Sequence, residues 1–386
     1  MTTLDAGSDL DALRTDQVGS LLRPTTLREA YHAHDDGKLD DAGLREAQDA
    51  AIREAVAEQE ARGLGVVTDG EFRRLNFQDS FGAAVSGYDA ERATASFLEQ
   101  RVAGGTGGQR WDPGYTGKGP AVVHRRPVVS RLALAHNVPL EEYSFVSSVA
   151  TRPAKVTLIG PDRILQRFDY EGSKGVYADV DEFAADVVAV QRQMVGELVE
   201  AGCRYVQIDE PGYTAYVDGP SLEEMRERGE DPMENLQRSI AADNQVIANF
   251  PGVTFGVHLC RGNQRSMWHR EGSYDDIAEL VFNGLAHQRL LLEYDSERAG
   301  GFEPLRHVPK EKVVVLGLVS TKTSQLEDAD TLKRRIDEAS RHLPLEQLAI
   351  SPQCGFASDL VGNEITPDAQ WRKLELVAQV AADVWG

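Results

Sequence analysis

The stretch DEFAADVVAVQRQMVGELVEAGCRYVQIDE, Asp181 to Glu210, carries two periods in succession. From Asp181 to Glu200 the apolar residues recur at helical spacing, and Gly202 supplies the stop. A short β-branched and aromatic run follows and ends on Asp209-Glu210. A helix that feeds a strand ending in acidic side chains is the repeating unit of a parallel α/β fold.

The same rhythm extends in both directions. Toward the N-terminus, runs end at Val18-Gly19-Ser20, Thr68-Asp69-Gly70-Glu71 and Thr157-Leu158-Ile159-Gly160. Toward the C-terminus they end at Val257-His258-Leu259-Cys260, Leu291-Leu292-Glu293, Leu316-Gly317-Leu318-Val319-Ser320 and Ala349-Ile350-Ser351-Pro352. Helical patterns occupy Asp275 to Gly284, Asp328 to His342 and Asp368 to Trp385. Eight strand ends joined by helix-sized crossovers predict a (β/α)8 TIM barrel spanning 1–386 as a single catalytic domain. One stretch breaks the rhythm. Residues 80–150, rich in Gly, Arg and Pro around Gly104 to Pro127, are expected to form an insertion over the barrel mouth, between strands 2 and 3. Because the reactive residue types fall at strand ends, they are expected to converge on one face of the barrel.

Composition narrows the function. The net charge of −21 is spread along helical stretches, so the surface repels polyanions and argues against nucleic acid. No apolar run approaches the ~20 residues of a membrane helix. The acidic start MTTLDAGSDLDALRTDQ lacks the regions of a secretory signal, which favours the cytoplasm. Three cysteines make no disulfide framework and must each be read in place.

In VTFGVHLCRGN, His258 and Cys260 are two apart on an extended run and face the same way, so both can reach one ion. Taken alone, the pair is equally compatible with a buried cysteine beside a hydrogen-bonded histidine. Cys354, in ISPQCGFAS, adds a second thiol at the last strand end, and one nitrogen with two sulfurs suits Zn²⁺. Glu293 ends the apolar run RLLLEYD, where a carboxylate needs solvent, an arginine or a cation. As a fourth ligand that can leave when substrate sulfur arrives, it would make the zinc reactive instead of structural. Cys203, between a helix stop and a strand, reads as core.

The segments VGSLLRP, VTDGEFRR, VQIDEPGY, HLCRGN, LLLEYDSERAGGFEPL, LGLVSTKT and SPQCGF occur in this order from about Thr15 to the C-terminus. Together they resemble the cobalamin-independent methionine synthase family, in its shorter, single-barrel form. The resemblance implies a zinc held by His258, Cys260, Glu293 and Cys354. It implies that Glu71 and Asp209 bind the homocysteine amino group and that Ser20 contacts its carboxylate. Two carboxylates at neighbouring strand ends also suit an ammonium on physical grounds, although Arg73, Arg74 and Arg204 are alternative partners.

The implied chemistry is methyl transfer. Zinc converts the homocysteine thiol to a nucleophilic thiolate, which attacks a methyl donor and gives methionine. Where full-length members of the family carry a histidine in a DIHS-like motif, this chain reads LVSTKTS, leaving Lys322 or Thr321 to deliver the proton. The stretch TLIGPDRILQRFD lacks the tryptophan on which the long enzyme stacks folate, so methyltetrahydrofolate and a methylated corrinoid are both donors to consider. The alternative functions are an epoxide-opening transferase for a coenzyme M type thiol or a C–S lyase, and a zinc or porphyrin-decarboxylase-like barrel sharing only the fold. Retained Glu71 and Asp209 disfavour an anionic thiol.

Overall fold

The computed structural model describes Leu10 and residues 12–89 and 127–386. Its strands are β1 (Val85–Tyr88), β2 (Val128–Leu134), β3 (Lys155–Ile159), β4 (Tyr205–Asp209), β5 (Thr254–Leu259), β6 (Arg289–Glu293), β7 (Val313–Val319) and β8 (Leu348–Pro352). Strands β3 to β8 form a parallel sheet in sequence order. Each of the six coincides with a run whose end was legible in the sequence.

The two N-terminal runs lie along the edges of that sheet. Thr15 bridges Ile350 of β8, and Val67 bridges Ala154 beside β3, both in parallel. The two runs are also tied to each other, by Leu21 N donating to Gly70 O at 3.0 Å and Thr68 Oγ1 to Gly19 O at 2.7 Å.

Helices cover the outer face. The helix Val180–Glu200 is capped by Asp179, whose carboxylate accepts from Glu182 N, and buries Phe183, Val187, Met194, Val195 and Leu198. Burying such side chains contributes about 1.5–3 kcal/mol each. Pro367–Trp385 and Ala329–Ala339 cover β7 and β8 in the same way. Strand residues alternate: Leu290 and Leu292 of β6 pack outward against Val281 and Val377, whereas Leu291 joins Val315 and Ala349 inside. The inward positions of β4 are therefore Tyr205, Gln207 and Asp209, and those of β6 are Arg289, Leu291 and Glu293. Polar groups sit at both ends of the inner face.

The range 80–150 divides into parts. The helix Val138–Val149 contacts β3 and the helices Asp41–Ala61 and Val180–Glu200, so it belongs to the outer layer. Strands β1 and β2 pair antiparallel and pack Val85, Val128 and Leu132 with Phe183 and Val187, on the flank of the Val180–Glu200 helix. Most of the Gly104 to Pro127 stretch lies outside the described residues.

Candidate metal centre and active-site cavity

Strand register assembles the site. Asp209 pairs with His258, and Leu259 pairs with Leu292, one step before Cys260 and Glu293. His258, Cys260 and Cys354 each offer a ligand atom, and these atoms lie within 4.8 Å of one another. All three are buried. Neither ring nitrogen of His258 has a hydrogen-bond partner of ordinary geometry, a costly arrangement for a buried imidazole unless a cation is bound. The thiols interact: a hydrogen bond from Cys354, and then the nearby His258, hold the Cys260 thiol well below its usual range against the opposing effect of burial. The same bond and burial push Cys354 up. One imidazole and two thiols form a borderline-soft donor set that fits Zn²⁺.

Glu293 stands apart from this trio. Its Oε2 accepts from Arg261 N at 2.6 Å, while Oε1 lies 3.3 Å from Arg298 Nη2 and 3.7 Å from Lys322 Nζ. Two cations and an amide thus satisfy the carboxylate without a metal, which apolar flanking sequence could not reveal. Lys322 is buried, and its ammonium makes no hydrogen bond.

His258, Cys260 and Cys354 open on a cavity of about 360 Å³ that Ser20, Glu71 and Asp209 also line. Ser20 closely approaches Gly355, next to Cys354: a Cβ at Gly355 would sit 2.0 Å from Ser20 Oγ, so a larger residue there would displace the serine. Ser20 Oγ accepts weakly from Ala357 N at 3.3 Å. Glu71 holds a left-handed backbone, φ 59°, which is uncommon for a side chain of its size and characteristic of functional positions. Its Oε1 accepts from Thr157 Oγ1 at 2.8 Å, and Oε2 is buried without a partner. Gln207 Nε2 donates to Asp209 Oδ1 at 2.7 Å. Burial pushes Asp209 up to about 7, with His258 opposing and Glu71 adding to the shift.

Of the arginines that could have claimed these acids, Arg73 and Arg204 are engaged elsewhere, and Arg74 is shared between Glu142 and Glu71. Arg73 pairs with Asp49 at 2.5 Å, and Arg204 donates to the carbonyls of Val199 and Cys203. Arg74 forks onto Glu142 at 2.6 and 2.7 Å and lies 3.5 Å from Glu71. Cys203 is in the core, as its sequence position indicates, and His287, Tyr213, Tyr294 and Phe356 are buried without lining the cavity. Sequence reading missed Arg163, Arg167 and Arg270, which share the cavity wall.

A sequence profile of the cobalamin-independent synthase catalytic domain matches residues 118–367. The chain belongs to this family. Other members give the likeness its extent. The Bacillus subtilis protein YxjG, uncharacterized, is 36% identical over 96% of this chain and 94% of its own length. A methionine synthase of Sulfurisphaera tokodaii is 25% identical over 90% of this chain and 87% of its own. Among solved structures, a Listeria monocytogenes protein described as a vitamin B12-independent methionine synthase superposes with TM-score 0.72 at 25% identity, covering 97% of this chain and 98% of that one. A B12-independent methionine synthase of Shewanella sp. W3-18-1, in complex with selenomethionine, shares the fold with TM-score 0.70 at 19% identity, over 97% of this chain and 98% of that one. No helix among the described residues is long and apolar enough to cross a membrane.

Proposed function

We propose that this chain is a zinc-dependent homocysteine S-methyltransferase that forms methionine, on a closed eight-stranded barrel completed by the Thr15–Ser20 and Leu64–Thr68 runs. The observation that carries the proposal is the convergence of His258, Cys260 and Cys354 within 4.8 Å, on one cavity with Glu71 and Asp209. Family membership supports it.

His258, Cys260 and Cys354 would hold the zinc, and Glu293, at the end of the neighbouring strand β6, would serve as its exchangeable carboxylate once released from Arg298 and Lys322. Bound there, zinc supplies a Lewis acid that deprotonates a substrate thiol, ordinarily of pKa about 8.5, and leaves the sulfur nucleophilic. Glu71 Oε2, which lacks a donor, and Asp209 receive the substrate ammonium through charge-assisted hydrogen bonds. That contact restores the ionised form of Asp209, which burial disfavours. Ser20 and the backbone that follows it face the substrate carboxylate.

In the reaction the new S–C bond forms as the methyl carbon leaves its donor, and the electron pair of the broken bond stays on the leaving group. Lys322, buried and ion-paired with Glu293 without a hydrogen bond, would supply a proton to that group. Methyltetrahydrofolate and a methylated corrinoid both fit this scheme as donors.

The test is calorimetric titration of zinc-loaded protein with homocysteine and with coenzyme M. Homocysteine binding that weakens roughly tenfold or more in Asp209→Asn supports the proposal. Tighter binding of coenzyme M, insensitive to that substitution, would replace it with the sulfonate-thiol reading.

A further inference from the structure

The site residues differ in what fixes them. From β3 to β8 each neighbouring pair of strands is joined by a ladder of parallel pairings, so Asp209, His258 and Glu293 take their positions from register. Ser20 and Glu71 follow runs that meet the sheet through single bridges, Thr15 to Ile350 and Val67 to Ala154. Cys354 lies beyond the last residue of β8, Pro352. Glu71 also holds its left-handed backbone, which persists only where the surroundings impose it. The placement of Ser20, Glu71 and Cys354 therefore needs a source besides strand pairing.

Arg23 supplies one. It belongs to the same VGSLLRP segment as Ser20, and it is 4% exposed. Its Nη2 donates to the carbonyls of Glu71 and Arg74, each at 2.8 Å, and its Nη1 to those of Ala357 and Asp359 at 3.1 and 2.9 Å. Glu71 O also accepts from Arg74 N at 3.1 Å, so one arm of the fork closes on both ends of that turn. The other arm closes on the loop that follows Cys354. Ser20 is tied to the same loop, its carbonyl accepting from Phe356 N at 2.9 Å. One planar, permanently charged group thus spans the segments that carry Ser20, Glu71 and Cys354. Arg23 does not line the cavity, so it acts through the groups it holds.

The Glu71 turn has a second tie of a different kind. Tyr31 OH, on the helix Thr25–Asp35, donates to Phe72 O at 2.8 Å and accepts from Gln48 Nε2 on the helix Asp41–Ala61 at 2.8 Å. That bond steadies the turn without setting its distance from Cys354.

We propose that Arg23 is a positioning residue that sets the distance between the ammonium acceptor Glu71 and the metal ligand Cys354, and thereby the length of the amino-acid thiol that spans them. This role rests on the proposed function, in which the substrate sulfur meets the metal while its ammonium meets Glu71 and Asp209. A thiol that touches only the metal makes no use of the distance. An amino-acid thiol engages both ends at once, and cysteine, one methylene shorter than homocysteine, leaves one end unsatisfied.

Calorimetric titration of the zinc-loaded, full-length protein with homocysteine, cysteine and 2-mercaptoethanol tests the role. Wild type should prefer homocysteine to cysteine by roughly tenfold or more. Arg23→Lys, whose single ammonium cannot serve both carbonyl pairs, should reduce that preference by roughly threefold or more, with 2-mercaptoethanol affinity within about twofold of wild type. Tyr31→Phe should keep the wild-type preference. Circular dichroism and urea melting establish that the variants are folded, and Arg23→Gln, which can serve one pair, replaces Arg23→Lys if the lysine variant is not. Wild type that binds cysteine as tightly as homocysteine overturns the proposal without recourse to any variant. A folded Arg23 variant with undiminished preference, or a Tyr31→Phe protein that loses as much, also overturns it; homocysteine binding at zinc in wild type then leaves the proposed activity standing. Zinc-loaded wild type that binds 2-mercaptoethanol and no homocysteine removes the proposed activity, and the positioning role with it.

Discussion

Two charged clusters are buried inside the same sheet, one at each end of its strands, and they differ in how completely their members are partnered. At the N-terminal ends, Lys155 Nζ donates to Asp16 Oδ1 at 2.7 Å and Gln207 Oε1 at 2.8 Å, Tyr205 OH donates to Asp16 Oδ2 at 2.6 Å, and Arg289 Nε lies 3.2 Å from Asp16. Burial raises the Asp16 carboxyl, but Lys155 and Arg289 outweigh it and hold it below the usual carboxylate range. At the C-terminal ends, both nitrogens of His258, Glu71 Oε2 and Lys322 Nζ are buried without hydrogen-bond partners. Buried polar groups normally find partners inside the protein. The lower cluster follows that rule and serves the scaffold, whereas the upper one departs from it where ligands from solution would complete the bonding. In a parallel barrel these are the stability face and the active face.

The two ends are linked. Gln207, held by Lys155 on its carbonyl oxygen, turns its amide nitrogen toward Asp209 and Val18 O. Lys155 has no acceptor, so its contact fixes which way the amide points. The scaffold cluster thereby sets the donor that holds Asp209.

Substitutions at the two ends should separate function from stability. The largest effect is expected at the upper end: Cys354→Ser or His258→Asn should lower methyl transfer by a factor on the order of 10³ or more, with unfolding of the metal-free protein little changed. Activity assays paired with denaturant melts check this. At the lower end the pattern inverts. Lys155→Met leaves Asp16 with the side chains of Arg289 and Tyr205 and should cost about 3 kcal/mol of stability in urea titration, while zinc content per folded chain stays at the wild-type level.

Smaller effects should then distinguish roles within the upper cluster. Lys322→Met is expected to reduce kcat roughly a hundredfold with little change in the KM for homocysteine, because it removes a proton source and not a binding group. Asp209→Asn should do the reverse, raising that KM roughly tenfold to a hundredfold. Steady-state kinetics at saturating donor resolve both.

The smallest effect concerns Asp243, which accepts from Tyr213 OH. Burial, opposed by that hydrogen bond, pushes its carboxyl up to about 8 from 3.8. The native state therefore keeps a proton that the unfolded chain releases, so this residue lowers stability progressively as pH rises from about 4 to about 8. Asp243→Asn should flatten that decline, measured as the difference in urea midpoint between pH 5 and pH 8.

Strand positions were legible because the inner face of a parallel sheet demands apolar or β-branched runs and its functional residues sit where the runs stop. His258, Cys260 and Cys354 are legible by that rule, Glu71 and Asp209 through the family resemblance, and all five line one cavity. The partners of Glu293 are not legible, since Arg298 and Lys322 come from loops after β6 and β7 whose paths no periodicity encodes. Arg163 and Arg270 escaped for the same reason: surface arginines and wall arginines look alike in sequence. The Val138–Val149 helix was absorbed into an insertion because its apolar stripe is short and the unusual composition upstream of it drew the boundary outward. Fully paired charges such as Asp16 and Lys155 leave no sequence signal, being 139 residues apart.

Zinc content of protein purified without added metal, compared between wild type and Cys354→Ser and followed by zinc-edge absorption with and without homocysteine, addresses the proposed activity most directly. The expected result is about one zinc per wild-type chain, weakened or lost in the variant, with one more sulfur in the zinc shell when homocysteine is present. A well-folded wild-type protein that takes up no zinc, or whose zinc shell is unchanged by homocysteine, would show that the convergence of His258, Cys260 and Cys354 does not serve thiol activation.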